Sequence, residues 1–355
     1  MKSYLFPGQG TQIKGMGENL FDLFPELAAK ADEVLGYSIK ALCLEDVNRQ
    51  LNLTQYTQPA IYVVNALTYL HRINHTINTP DFVAGHSLGE YNALHAAKAL
   101  SFEDGLRLVK KRGELMGEAA KGAMAAVLKI NEDKIKQCLK DNDLNTIDIA
   151  NYNAPTQIVL SGLQEDINRA QTCFEHAGAD YIPLNTSGAF HSRYMAPAQT
   201  EFEKYLETFT FTDLQIPVIA NSNAEPYQQH QIKQNLVNQI TQSVRWQQSM
   251  QYLLLQGVFD FEEIGIGDVL TKLMTWIKTD FITAGQKNNQ TDNLPQKIDD
   301  WNKTYPIGTK VKVVNFKEEL ATRTKAKLSL GHREAIYLQG YKGYFELNNV
   351  TPVVD

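Results

Sequence analysis

The stretch Asp81-Phe82-Val83-Ala84-Gly85-His86-Ser87-Leu88-Gly89-Glu90 reads as a short apolar strand, a turn bracketed by glycines, and the start of a helix that runs on through the alanine-rich Tyr91 to Leu100. Its centre, Gly85-His86-Ser87-Leu88-Gly89, matches G-x-S-x-G, in which a serine occupies a sharp strand-to-helix turn and its hydroxyl projects from the sheet edge. Glycines flank the serine because so tight a turn brings neighbouring backbone too close for side chains. The helix that follows aims its unsatisfied N–H groups and the positive end of its dipole at the hydroxyl. Five residues alone match by chance in unrelated proteins. The strand before and the helix after are what point to a reactive serine at Ser87 rather than a structural turn.

A serine hydroxyl at its free pKa is a poor nucleophile and needs a general base within hydrogen-bond reach. Eight histidines are available. His71 and His75 lie at a polar helix end, His176 and His230 sit in hydrophilic surroundings, and His332 follows a polar linker, so these five read as surface residues. His86 adjoins the serine on a tight turn with its ring directed elsewhere, and His95 falls inside the following helix. His191 remains, in the small-residue loop Ser187-Gly188-Ala189-Phe190-His191-Ser192. Position alone leaves it open whether His191 is a base or an ordinary loop histidine.

Around this centre the chain reads as alternating strands and helices. Tyr4-Leu5-Phe6 is a strand running into the loop Pro7-Gly8-Gln9-Gly10. Tyr62 to Leu70 carries apolar residues at helical spacing, with Pro59 as a first-turn residue. From Ala123 the texture changes: strand Met124 to Leu128, helix Glu132 to Lys140, strands Asp148 to Ala150 and Gln157 to Ser161, helix Gln164 to His176, strand Asp180 to Leu184. That βαββαβ order is the order of a ferredoxin-like subdomain inserted into a larger α/β unit. The larger unit resumes with strand Ile216 to Ala220, helix Val244 to Leu255 and strand Phe259 to Ile264.

Residues 284–300 are polar with few apolar anchors and read as a linker. Beyond them Lys310 to Val314, Thr322 to Leu330, Ala335 to Leu338 and Tyr341 to Leu347 read as short strands of a small barrel of four or five strands in an all-β extension, 301–355. From Gly285 onward eleven Lys and Arg face eight Asp and Glu, a surplus that suits either a solvated surface or contact with an anionic partner.

The 355 residues, 43% of them hydrophobic, can bury a large core, and no stretch approaches a membrane span. The start lacks the apolar segment of a secretory signal, so a cytoplasmic location is the expectation. Cys43, Cys138 and Cys173 are far apart, without metal-binding spacing, and read as buried apolar residues. A net charge of −6 argues against nucleic-acid binding.

The sequence resembles the malonyl-CoA:acyl carrier protein transacylases and the acyltransferases of polyketide synthases, particularly the free-standing ones that serve assembly lines in trans. The resemblance rests on Phe6-Pro7-Gly8-Gln9-Gly10, Gln58-Pro59-Ala60, Gly85 to Glu90, Lys111-Arg112-Gly113 with Met116, Gly122-Ala123-Met124-Ala125, Asn153-Ala154-Pro155, Gly188 to Ser192, and Glu263-Ile264-Gly265. It extends from Met1 to about Phe281, and eight motifs in the family's order make it specific.

The resemblance implies an α/β-hydrolase-like catalytic subdomain, 1–122 and 191–283, with the ferredoxin-like subdomain at 123–190. It implies Ser87 as nucleophile and His191 as its base, with the backbone carbonyl of Gln242 orienting the imidazole in place of a carboxylate. The N–H groups of Gln9 and Leu88 would form an oxyanion hole, each worth ~3 kcal/mol of barrier. Arg112 would hold the free carboxylate of a malonyl group by paired charge-assisted hydrogen bonds, although a Lys110-Lys111-Arg112 run taken alone suits a solvated helix face. Gln58 and Met116 would line the substrate site. Leu88, Ala189 and Phe190 resemble malonyl-selective members, Phe190 filling the space an α-methyl branch needs, a discrimination worth ~1–3 kcal/mol.

The expected partners are therefore malonyl-CoA and an acyl carrier protein, acting on a monomer without nucleic acid, membrane, metal or cofactor, coenzyme A thioester being a substrate. Two rivals remain: an editing hydrolase on the same scaffold that clears acyl groups from carrier proteins, for which a buried Arg112 has no use, and a non-catalytic docking module, against which the set Ser87, His191, Gln9 and Arg112 speaks.

Overall fold

Tyr4, Leu5 and Phe6 are buried on both faces of the first strand, as a strand inside a parallel sheet requires. In the computed structural model, which describes residues 1–353 apart from 77–78, 120–121, 187, 289–293, 315, 317, 330–332 and 342–343, eight strands precede residue 270. They are β1 (Lys2–Phe6), β2 (Phe82–Gly85), β3 (Ala123–Leu128), β4 (Asp148–Ala154), β5 (Gln157–Gly162), β6 (Asp180–Pro183), β7 (Val218–Ile219) and β8 (Asp260–Glu263).

Strands β7, β2, β1 and β8 form one parallel sheet in that order. Phe6 pairs with Gly85 and Leu5 with Glu263, so the chain leaves β1 into the Pro7 to Gly10 loop beside the point where it leaves β2 into the Ser87 turn. Ligands of parallel sheets bind outside these carboxyl ends. Two helices lie here, Thr54–Asn74, whose Tyr69 ring meets Tyr4 and Phe6 of β1, and Phe102–Glu118, packed on the first through Tyr62 and Phe102. The first begins five residues before Pro59, which therefore lies inside the helix and not in its first turn. Proline has no N–H, so one i to i−4 bond is missing there. In the second, Phe102, Leu106, Val109, Arg112, Gly113 and Met116 are buried at helical spacing, which places Arg112 on the apolar face. The helix after Ser87 ends at Ala96, short of the expected Leu100.

Strands β3 to β6 form an antiparallel sheet in the order β4, β5, β3, β6, joined by the helices Glu132–Asp141 and Gln164–His176. Alternation along β3 divides its side chains: Ala123, Ala125 and Val127 pack with Ile135, Ile167 and Phe174, while Met124 and Ala126 join the core of the parallel sheet. Val244 exchanges backbone hydrogen bonds with Ala150 and Tyr152 (2.8 and 2.9 Å), extending the edge at β4. The expected helix from Val244 accordingly starts at Trp246.

By its contacts the chain divides into Met1–Met250 with Asp260–Met274, and Gln251–Phe259 with Thr275–Asp355. The division falls inside the helix Val269–Asn288, ahead of the expected linker. The linker reading of 284–300 is corrected where residues are described: the chain is helical through Asn288 and again over Leu294–Thr304. Polar composition hid an amphipathic repeat, in which Ile298 and Trp301 face the second unit's core with Val311, Val313, Ile336 and Val350.

That unit holds β9 (Lys310–Val313), β10 (Leu320–Ala321), β11 (Lys327–Ser329), β12 (Arg333–Tyr337), β13 (Tyr344–Glu346) and β14 (Val350–Pro352). They make two three-stranded antiparallel sheets, β10-β9-β14 and β11-β12-β13, in place of a barrel of four or five strands. The expected strand Thr322 to Leu330 is divided: Thr322 bridges Leu338 and Arg323 bonds the Tyr337 carbonyl at the end of β12, while Lys327–Ser329 pairs with the start of β12 as β11. Leu330 and His332 lie outside the described residues. Cys43 and Cys138 are buried and Cys173 half-buried. No helix among the described residues is long and apolar enough to cross a membrane.

Candidate active site

The turn after β2 holds Ser87 with φ 51°, in the left-handed region that non-glycine residues seldom occupy. Such a backbone persists only when its surroundings hold it. Here Asn221 brackets the turn: its Oδ1 accepts from the Ser87 N–H (2.7 Å) and its Nδ2 donates to the Gly85 carbonyl (2.7 Å). A Cβ on Gly85 would fall 1.9 Å from the Gly89 carbonyl carbon, so the turn closes only with glycine there.

Ser87 Oγ lies 2.7 Å from His191 Nε2. His191 itself has φ 54° and is 4% exposed, which places the imidazole against the hydroxyl and away from bulk water. Burial, reinforced by the Arg112 charge, brings its pKa down from 6.5 to about 3, so the ring is neutral and able to accept a proton. Nδ1 meets the Gln239 carbonyl oxygen at 2.8 Å; as the donor there, it leaves Nε2 as the acceptor facing Ser87. The expected orienting carbonyl was that of Gln242. The carbonyl that meets Nδ1 is instead that of Gln239, one helical turn earlier in Ile232–Thr241.

Arg112, 1% exposed, donates from Nη2 to Ser87 Oγ (3.1 Å) and Gln239 Oε1 (2.9 Å), and from Nη1 to Gln58 Oε1 (2.7 Å). Its guanidinium carbon stands 5.7 Å from the Tyr91 ring centre. Burial lowers its pKa, yet an arginine stays charged in a protein. The Gln58 amide also reaches the Met116 sulfur at 3.7 Å.

A Cβ on Gly8 would lie 2.3 Å from the His86 carbonyl oxygen and 3.6 Å from the Leu88 nitrogen, so the β1 loop presses directly on the serine turn. Among the described residues no acceptor is bonded to the N–H of Gln9 or of Leu88. The Gln9 side chain turns aside to Thr54 Oγ1 at 3.2 Å. A cavity of about 180 Å³ opens over Ser87, lined by Gln9, Gln58, Arg112, Met116, Phe190 and His191 among others. Ala189 is buried but does not line it. His86 points away from Ser87, its Nε2 2.8 Å from Asn153 Oδ1.

Sequence reasoning passed over Asn221, Gln239 and, as more than a motif letter, Glu90. Glu90 is 1% exposed and accepts from the Asn221 N–H (2.9 Å), the Tyr227 hydroxyl (2.7 Å) and the Gln239 side-chain amide. A buried acid beside the turn was a readable signal for Glu90, since carboxylates are seldom fully buried without partners. Nothing local marks an asparagine and a glutamine more than a hundred residues downstream.

A model of the acyl transferase domain family matches residues 3–265, and the chain belongs to that family. Among its relatives, the polyketide biosynthesis malonyl CoA-acyl carrier protein transacylase PksC of Bacillus subtilis (strain 168) is 55% identical over 79% of this chain and 98% of that one. A malonyl CoA-acyl carrier protein transacylase structure from Burkholderia pseudomallei superposes with TM-score 0.77 at 49% identity, covering 79% of this chain and 98% of its own. A malonyl-transacylase in complex with a type II polyketide synthase acyl-carrier protein gives TM-score 0.74 at 34% identity, covering 78% and 92%.

Proposed function

We propose that the chain transfers a malonyl group from malonyl-CoA to the phosphopantetheine thiol of an acyl carrier protein, acting in trans for a polyketide synthase, through an ester on Ser87. The observation that carries this reading is that one hydroxyl oxygen is shared: Ser87 Oγ lies 2.7 Å from a neutral imidazole nitrogen and 3.1 Å from a guanidinium nitrogen. An acid group held by that guanidinium stands close beside the attacked carbonyl carbon. Malonyl, with a single methylene between the two, has that shape.

In the first step His191 Nε2 takes the hydroxyl proton as Oγ attacks the thioester carbon. The N–H groups of Gln9 and Leu88 hold the negative charge that develops on the carbonyl oxygen. The carbon–sulfur bond then breaks, the thiolate of coenzyme A takes the proton from His191, and Ser87 carries the malonyl ester. In the second step the carrier thiol gives its proton to His191, attacks the ester, and Oγ leaves with that proton. Arg112 holds the free carboxylate throughout, with Gln58 and Met116 framing it and Phe190 filling the space beside the methylene.

The finer fold description belongs to the same reading: an α/β-hydrolase-like parallel sheet, an inserted ferredoxin-like subdomain and a β-rich extension. The strand order β4, β5, β3, β6 and its two crossover helices support the insertion. Initial rates at varied malonyl-CoA and carrier-protein concentrations test the chemistry. Parallel double-reciprocal lines are expected of a covalent intermediate, and intersecting lines would overturn it.

A further inference from the structure

Gln239 meets His191, Arg112 and Ser87 alike. Its backbone carbonyl meets His191 Nδ1, its Oε1 meets Arg112 Nη2 at 2.9 Å, and its Nε2 donates to the Ser87 carbonyl at 2.8 Å and to Glu90. We infer that Glu90 is a positioning residue: by locking the Gln239 amide in one orientation it fixes the Arg112 guanidinium where the acid end of the substrate must land. This rests on the reading under Proposed function and extends it to a residue that meets neither substrate nor reacting atoms.

An amide presents a donating nitrogen on one side and an accepting oxygen on the other. Above about pH 7, where Glu90 is ionised, it and the Ser87 carbonyl can only accept, so they hold Nε2 on their side and leave Oε1 facing the guanidinium. A flipped amide would set oxygen against carboxylate and N–H against N–H, unfavourable on both sides in a buried site. Glu90 is itself fixed by the Asn221 N–H and the Tyr227 hydroxyl. Among the described residues the hydrogen-bond partners of Arg112, Gln58, Gln239 and Ser87, are neutral, and Glu90 answers its charge through the intervening amide. The Gln239 carbonyl that meets His191 belongs to the helix backbone, so its place does not depend on how the side chain is turned.

In Glu90→Gln, the side chain keeps an oxygen for Asn221 and Tyr227 but offers N–H groups to Gln239, which turns the Gln239 amide and sets its nitrogen against Arg112. The experiment, run at pH 8, offers malonyl-CoA and acetyl-CoA together and reads the initial ratio of malonyl to acetyl on Ser87 by intact-protein mass. That ratio does not depend on the fraction of chain that is folded. Loss of about 10- to 100-fold in the ratio is expected, the worth of one charge-assisted hydrogen bond, with Tyr227→Phe shifting it in the same direction but less. An unchanged ratio in Glu90→Gln, or equal loss of both acyl groups, would overturn the inference. If wild-type chain gained no malonyl at all, the proposed function itself would fail; a wild type that charges normally beside an unaltered ratio sinks only the role of Glu90.

Discussion

Arg112 and Ser87 stand 3.1 Å apart, guanidinium Nη2 to hydroxyl Oγ, although 25 residues separate them in the chain. The helix Phe102–Glu118 turns Arg112 inward on its apolar face, and the turn after β2 projects Ser87 to meet it. On the proposed reading, a fixed cation at the reacting oxygen selects acyl groups with an acid end. Arg112→Ala is therefore expected to lower kcat/KM for malonyl-CoA by about 100-fold or more, two charge-assisted hydrogen bonds being lost, while acetyl transfer is retained. Arg112→Lys restores little, because an ammonium cannot reproduce the planar fork. Steady-state rates with both thioesters check this, and equal loss of both would count against it.

The phase of that helix also shows what was legible beforehand. Lys110 and Lys111 suggested a solvated face, yet Phe102, Leu106, Val109 and Met116 already place Arg112 in register with the buried side. The parallel sheet and the inserted βαββαβ unit could be read from short apolar runs with turn residues between them. The helix Leu294–Thr304 could not be read from polarity, because Ile298 and Trp301, which pack into the core, stand among charged residues. Asn221, Gln239 and Tyr227 converge on Ser87 and Glu90 through tertiary packing alone, which no local pattern encodes. The same holds for the carbonyl on His191: within one helix end, Gln239 and Gln242 differ only by a turn, and the three-dimensional path decides between them.

With His191 as the proposed base, the reaction should follow the protonation of its ring. Its pKa is lowered from 6.5 to about 3 by burial first and the Arg112 charge second. A base acts while unprotonated, so the acid limb of kcat/KM should lie well below pH 6.5 in wild type. Removing Arg112 removes a cause of the depression, and the limb should move upward toward the ordinary histidine value in Arg112→Ala. A wild-type limb near the free-histidine value would contradict the buried, neutral ring.

Glu90 gives a separate signature in stability. Burial raises its carboxyl from 4.5 to about 7, against the opposing hydrogen bonds from Tyr227, Asn221 and Gln239. The unfolded chain releases that proton near 4.5 and the folded chain only near 7, so across this window the folded state binds more protons and stability falls as pH rises. Urea unfolding of wild type and Glu90→Gln at pH 5 and pH 7.5 should show wild type losing stability relative to the variant at the higher pH. A difference that does not change with pH would show that Glu90 does not titrate in this range.

Gly8 carries the oxyanion argument. An added Cβ would meet the His86 carbonyl at 2.3 Å, forcing the β1 loop and the Gln9 N–H away from the reacting carbonyl. Gly8→Ala is expected to lower kcat by about 100-fold or more, the scale of one lost oxyanion donor, with KM less affected. A change in KM alone would place Gln9 in binding and not in stabilisation of the transition state.

The covalent step is tested most directly by the intact mass of the chain after brief mixing with malonyl-CoA. The account predicts the gain of one malonyl group, recovered on the peptide that contains Ser87 and absent from Ser87→Ala. A wild-type chain that gains no mass, or a Ser87→Ala variant that charges carrier protein at the native rate, would contradict it.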